Sequence, residues 1–220
     1  TDDFNGTDGF VYTITDGNGG SATATVTVTV TGVNDPPVAT DNAGTTAEDT
    51  ALTLTPASDD TDIDGDAVTL IGAEDGSNGT VSVNPDGSVV YTPADDFNGT
   101  DSFVYTITDG NGASATATVT VTVSGVNDPP VATDNTGTTP EDTALTLTPA
   151  SDDTDIDGDA VTLVGAGDGS NGTVAVNPDG TVVYTPADAF NGTDSFVYTI
   201  TDGNGGYATA TVSVTVTGVN

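Results

Sequence analysis

The residues with the most chemical potential in this sequence are the carboxylates of Ala57-Ser58-Asp59-Asp60-Thr61-Asp62-Ile63-Asp64-Gly65-Asp66, a stretch that returns as Ala150 to Asp159. Five aspartates fall within eight residues. Like charges that close repel one another and drive proton affinity upward unless a cation sits among them. Calcium takes six to eight hard oxygen ligands in flexible geometry, and Asp-x-Asp-Gly-Asp, with its turn glycine, can wrap such an ion. Asp62, Asp64 and Asp66, and in the second occurrence Asp155, Asp157 and Asp159, are therefore read as calcium ligands. Asp60-x-Asp62-x-Asp64-Gly65 also opens like an EF-hand loop. The twelfth position, which would need a bidentate Glu, is Ile71 in one occurrence and Val164 in the other, and no helical pattern flanks either loop. The EF-hand reading fails.

Other chemistries are limited by missing side chains, because the sequence contains no Lys, Arg, His, Cys, Met, Trp or Gln. A chain without His, Cys or Lys has no common general base or activated nucleophile. Paired carboxylates of the glycosidase kind remain, but here they lie in repeated loops with no evident cleft. The chain is expected not to be an enzyme. Its formal charge of -34 is relieved by no internal salt bridge, so each carboxylate must be hydrated, hydrogen-bonded or cation-bound. Such a charge repels nucleic acid and anionic membrane surfaces. No run approaches the ~18 apolar residues of a membrane-spanning helix. Neither nucleic-acid binding nor membrane insertion is expected; calcium ions are the natural partner.

The elements that carry these loops are written as a repeat. Asn34, Asn127 and Asn220 recur at intervals of 93 residues, and residues 35–127 differ from 128–220 at 11 positions, among them Ala47/Pro140, Glu74/Gly167, Asp96/Ala189 and Ser114/Tyr207. Residues 1–34 read as the C-terminal part of a preceding repeat, 35–127 as one complete repeat and 128–220 as another. This period suits an autonomous immunoglobulin-sized sandwich. The hydrophobic fraction of 34% is low, yet Val, Ile, Thr, Tyr and Phe alternate in short runs bounded by Gly, Asn, Asp and Pro, the pattern of half-buried strands. Strands are expected near Val38–Asp41, Ala51–Leu54, Ala67–Ile71, Thr80–Val83, Val89–Thr92, Ser102–Thr108 and Ser114–Val123. Asn84-Pro85-Asp86-Gly87 and Asp109-Gly110-Asn111-Gly112 supply tight turns. Leu52, Leu54, Val68, Leu70, Val81, Val83, Tyr91, Phe103, Tyr105 and Ile107 form the expected core. Asp86, Asp95 and Asp101 read as turn and solvent residues, and Tyr207, matched by Ser114, as a surface residue. The fold class is all-β: tandem seven-stranded Greek-key β-sandwiches joined end to end.

These residues resemble the bacterial cadherin-like, immunoglobulin-like repeats of large surface adhesins. The resemblance rests on Val33-Asn34-Asp35-Pro36-Pro37-Val38, Glu48-Asp49-Thr50, Asp62-x-Asp64-Gly65-Asp66, Gly79-Thr80-Val81 with Asn84-x-Asp86-Gly87, Phe97-Asn98-Gly99-Thr100-Asp101-Ser102-Phe103 and Asp109-Gly110-Asn111-Gly112. It implies calcium at the junctions between repeats. The implied donors near residue 127 are Glu48, Asp109, Asn127 and Asp128, with Asp155 and Asp157. Those near residue 34 are Asp16, Asn34, Asp35, Asp62 and Asp64. Glu141 and Asp202 are the last repeat's counterparts of Glu48 and Asp109. The basic residue and longer linker of animal cadherins are absent.

The implied function is an extracellular, calcium-stiffened structural repeat: the rod of a long surface adhesin or an extracellular filament, with length growing by roughly 40 Å per repeat. The alternative is a recognition module for glycans or for like repeats on other cells. Partners are calcium, neighbouring repeats of the chain and, in fibres, other copies. Five Asn-Gly-Thr triplets, at Asn5, Asn78, Asn98, Asn171 and Asn191, are formal glycosylation sequons that read more simply as Asn-Gly turns.

Overall fold

A computed structural model describes residues 3–219; Asn220, the sequence counterpart of Asn34 and Asn127, lies outside them. The chain divides into two compact units, Thr1–Gly125 and Val126–Asn220. The first opens with an antiparallel hairpin of β1 (Gly6–Thr15) and β2 (Ser21–Val30). It continues with β3 (Asn42–Ala47), β4 (Leu52–Leu54), β5 (Thr69–Ala73), β6 (Gly79–Val83), β7 (Val89–Pro93), β8 (Gly99–Thr108) and β9 (Ser114–Ser124). These seven strands form a four-stranded sheet, β3-β9-β8-β5, and a three-stranded sheet, β4-β7-β6. The chain crosses between the sheets after β3, β4, β5 and β7, giving the Greek-key sandwich. In the second unit β10 (Asn135–Pro140), β11 (Leu145–Leu147), β12 (Thr162–Ala166), β13 (Gly172–Val176), β14 (Val182–Pro186), β15 (Gly192–Thr201) and β16 (Tyr207–Thr217) repeat the arrangement. There is no α-helix among the described residues.

Period-two alternation explains the core. Along β8 and β9, Phe103, Tyr105, Ile107, Val119 and Val121 are at most 2% exposed, while their neighbours face solvent. Val89 and Tyr91 of β7 meet them from the other sheet, with Leu52, Leu54, Val68, Leu70 and Val81 packed around. Val83, expected in the core, is 40% exposed: it closes an edge strand, where the sandwich has no further neighbour. Residues of β1 and β2 equivalent to those core positions, such as Phe10 and Ile14, are 58% and 59% exposed, because this hairpin packs on no second sheet among the described residues.

The first strand is not where the hydrophobic pattern puts it. Val38 makes only an isolated bridge to Thr61, and the strand proper is Asn42–Ala47, paired in parallel with β9. Its sequence, Asn-Ala-Gly-Thr-Thr-Ala, has little apolar side chain to announce it. The core is filled there from across the sandwich: a Cβ on Gly44 would come within 2.7 Å of the Leu52 side chain.

Two sequence readings change in the turns. Asn78-Gly79 is not a positive-φ turn; Gly79 begins β6, and its missing Cβ makes room for the Tyr91 ring, 2.5 Å from where that atom would stand. Asp101 is not a solvent residue. It is 5% exposed, taking the Tyr91 hydroxyl at 2.8 Å and the N–H groups of Ser77, Asn78 and Ser102.

Candidate metal centre

The acidic loop is built up from the core. Tyr105, buried on β8, donates its hydroxyl to Asp60 at 3.0 Å and to the Thr40 carbonyl at 2.7 Å. The Thr40 N–H returns a bond to Asp60. Val38 and Thr61 exchange both backbone bonds, at 2.7 and 3.1 Å, so the interdomain-type linker and the start of the loop are one small ladder. Burial pushes the Tyr105 hydroxyl pKa upward, and the Asp60 carboxylate adds to the effect. Tyr105 therefore remains a donor at any ordinary pH.

From that base the loop turns at Gly65, which adopts φ +83. Asp62 Oδ1 accepts the Asp64 N–H at 2.8 Å, an Asx turn that folds the carboxylates inward. Carboxylate oxygens of Asp62, Asp64 and Asp66 lie within 4.8 Å of one another. Asp64 Oδ2 accepts the Asp35 N–H at 2.8 Å, and Asp66 Oδ2 accepts the Asn111 side-chain amide at 2.7 Å. The Asn34 amide donates to Asp109 Oδ2 at 2.7 Å, while Asp109 Oδ1 takes the N–H groups of Asn111, Gly112 and Ala113. Linker, loop and β8–β9 turn thus meet at one end of the repeat. The Asn34 side chain, aided by those backbone N–H groups against a smaller opposing effect of burial, holds the Asp109 carboxyl below the usual range.

The second unit repeats this end. Asp155 Oδ1 accepts the N–H groups of Asp157 and Asp159, Asp157 Oδ2 accepts the Asp128 N–H at 2.8 Å, and Asn127 donates to Asp202 at 2.8 Å. Asp155, Asp157 and Asp159 again bring oxygens within 4.8 Å. In both units one oxygen of the first aspartate, Asp62 Oδ2 and Asp155 Oδ2, is buried with no hydrogen-bond partner. A buried, unpartnered anionic oxygen is costly. One beside two further carboxylates, in a chain without a cationic side chain, suits a hard cation.

The sequence-derived donors therefore separate into sets. Asn34, Asp35, Asp62, Asp64, Asp66 and Asp109 come together, as do Asn127, Asp128, Asp155, Asp157, Asp159 and Asp202. Asp109 groups with Asn34 and not with the linker that follows its own repeat. Asp16, its counterpart in the first hairpin, caps its own turn, accepting the N–H groups of Asn18 and Gly20. Glu48 and Glu141 stand at the opposite end of their repeats, beside the ends of β9 and β16: Glu48 donates its N–H to the Ser124 carbonyl, and Glu141 Oε1 accepts the Val219 N–H at 2.7 Å. Sequence reasoning passed over Asn111 and Asn204, which brace Asp66 and Asp159; the recurrence of Asp-Gly-Asn-Gly was the available signal.

Solved structures of similar fold include protocadherin gammaB7 EC3-6, in its cis-dimer structure, at 19% identity and a TM-score of 0.50, and PcdhgB3 EC1-4, at 15% and 0.51. These cover 96% and 97% of this chain and 58% of each of theirs, and at such identity they speak to the fold alone. An endo-fucoidan hydrolase of glycoside hydrolase family 107 aligns with 99% of the chain at 21% identity but a TM-score of only 0.33; the chain spans about a third (35%) of its length. No curated protein sequence matches the chain. The sequence model described as Bacterial Ig domain matches residues 1–29, 34–122 and 127–215. With cadherin-like sandwiches, near-identical copies and this threefold match, the chain belongs to the bacterial Ig domain family, as tandem cadherin-like repeats.

Proposed function

We propose that these repeats are spacers of an extracellular rod, in a surface adhesin or an extracellular filament, and that calcium stiffens the rod. The chain is read as residues 1–34 from a preceding repeat followed by complete repeats at 35–127 and 128–220. The observation that carries the reading is the unpartnered, buried Asp62 Oδ2 and its twin Asp155 Oδ2, each among three carboxylates. Asp62, Asp64 and Asp66, and Asp155, Asp157 and Asp159, would hold the ion. The bonds from Asp35 to Asp64 and from Asp128 to Asp157 tie each linker to its loop, so an ordered loop also orders the linker. Asn34, Asn127, Asp109 and Asp202 brace that end; Asp16, Glu48 and Glu141 remain donors at other chain positions. Calcium supplies charge neutralisation and ligand-driven order, and no catalytic step is assigned. Near-identical copies favour the spacer role, since a spacer needs every copy to act alike.

Small-angle scattering with calcium and with chelator tests the stiffening: the expected result is a longer maximum dimension in calcium, and unchanged dimensions overturn it. Calorimetric titration tests the ligands separately. Asp62→Asn with Asp155→Asn is expected to abolish the calcium heat while the far-ultraviolet circular dichroism stays that of the parent.

A further inference from the structure

The Asp-Gly-Asn-Gly turns carry one side chain that the turn itself does not need. In the β8–β9 turn Asp109 Oδ1 takes the N–H groups of Asn111, Gly112 and Ala113. In the β1–β2 turn Asp16 Oδ1 takes those of Asn18 and Gly20. The two turns have similar backbones, with Gly110 and Gly112 at φ +78 and +115, and Gly17 and Gly19 at +76 and +102. The Asn18 amide bonds nothing among the described residues. Asn111, by contrast, donates to Asp66 Oδ2 at 2.7 Å, and Asn204, in the β15–β16 turn, donates to Asp159 Oδ2. The turn forms without that bond, so the bond serves the acidic loop.

It is also one member of a chain of hydrogen bonds that runs from linker to loop. In the second unit the Asn127 amide donates to Asp202 Oδ2 at 2.8 Å, Asp202 Oδ1 accepts the Asn204 N–H at 2.7 Å, and the Asn204 amide reaches Asp159. Asp159 and Asp157 give their N–H groups to Asp155 Oδ1. Asp157 Oδ2 accepts the N–H of Asp128, the residue after Asn127, which closes a ring. Asn34, Asp109, Asn111 and Asp66 make the same series in the first unit. One oxygen of each of the three loop carboxylates is thereby fixed by an N–H group. Carboxylates within 4.8 Å of one another repel when no cation lies among them, and the fixed oxygens oppose that spreading.

We propose that Asn111 and Asn204 are positioning residues for the acidic loops, and that through them the linker amides of Asn34 and Asn127 raise calcium affinity without touching the ion. The inference rests on the calcium reading of the loops. Groups that orient metal ligands from outside the coordination sphere are worth ~10–100-fold in metal affinity. Loss of a donor also returns charge to Asp66 or Asp159, which by itself would attract a cation more strongly. The direction of the change in affinity therefore separates positioning from charge. Coupling of this kind is reciprocal: whatever factor the linker bond adds to ion binding, a bound ion adds to the linker bond. Removing Asn204 leaves the Asn127 amide on Asp202 but disconnects it from Asp159.

Calorimetric calcium titration of the full chain tests this, with thermal melting in chelator beside it. Asn111→Ala with Asn204→Ala, or Asn111→Ser with Asn204→Ser should the first pair fail to fold, is expected to weaken binding roughly tenfold. The melting midpoint in chelator is expected to stay that of the parent, whereas loss of a merely structural asparagine would lower that midpoint and leave affinity alone. Asn34→Ala with Asn127→Ala is expected to weaken binding as well. The quadruple variant is expected to lose less than the product of the two losses, because both pairs act along one chain of bonds. Asn18→Ala, in a turn with no loop to brace, is expected to change neither affinity nor melting. Unchanged or tighter binding in the Asn111 and Asn204 variants overturns the positioning role, and losses that multiply overturn the link to the linker. A parent that takes up no calcium overturns the calcium reading and this inference with it; a parent that binds, with variants that match it, overturns this inference alone.

Discussion

Asp101 and Asp194 show how a carboxylate is used inside a chain that has no cation of its own. Burial acts to raise the Asp101 pKa, but the N–H groups of Asn78, Ser102 and Ser77 and the Tyr91 hydroxyl outweigh it and hold the carboxyl below its ordinary value. Asp109 and Asp202 are lowered as well, first by the side chains of Asn34 and Asn127. A carboxylate whose folded pKa lies below its unfolded value of ~3.9 contributes stability that is complete above that value and is lost as pH falls through the folded one. Urea midpoints measured from pH 7 downward are therefore expected to hold until about pH 4 and then fall. Asp101→Asn with Asp194→Asn should lower the neutral plateau and flatten that acid limb. Asp101→Ala leaves four donors facing an apolar void, and a loss of about 3 kcal/mol at pH 7 is expected by urea titration. Ala189 offers the opposite change. It sits at φ +55, where the first repeat has Asp96 at the same angle, and the left-handed region disfavours Ala. Ala189→Gly is expected to stabilise the second unit by about 0.5–1 kcal/mol.

At the scale of elements, glycines decide which strands can approach. Gly44 and Gly137 let β3 and β10 lie over leucines of the facing sheet, and Gly79 and Gly172 admit the rings of Tyr91 and Tyr184. Gly79→Ala would place a methyl group 2.5 Å from a buried ring, so a loss of about 1–3 kcal/mol is expected in chemical denaturation. The linkers are elements too. Asn127→Ala removes the bond to Asp202. It is expected to cost only ~1 kcal/mol in global stability, while speeding hydrogen exchange at Asp128 and in the turn Asp202–Gly206 much more than in β16.

For the whole molecule, stability and charge are coupled through the loops. If each loop binds calcium in the folded state alone, an ion at a hundred times its dissociation constant adds ~2.7 kcal/mol per site. Melting in calcium against chelator should show a rise of that order, and the rise should vanish in Asp62→Asn with Asp155→Asn. Sodium at equal ionic strength screens the charge without filling the loops, and is expected to reproduce only part of the effect.

The sandwich class, the repeat period, the turns and most of the core were legible from the sequence, because period-two alternation and Asn/Asp/Gly punctuation are local properties of the chain. The Asp-x-Asp-Gly-Asp loop was legible for the same reason. What lay beyond the sequence was non-local. β3 carries almost no apolar side chain, and only its parallel pairing with β9 makes it a strand. Asp101 looks like a turn residue until the Tyr91 hydroxyl and the N–H groups of Ser77 and Asn78 converge on it from other segments. Asp109 joins Asn34, 75 residues away, because the β8–β9 turn and the linker share one end of the sandwich. Spacing along the chain identifies the carboxylates that can act, but the fold alone decides which of them stand together.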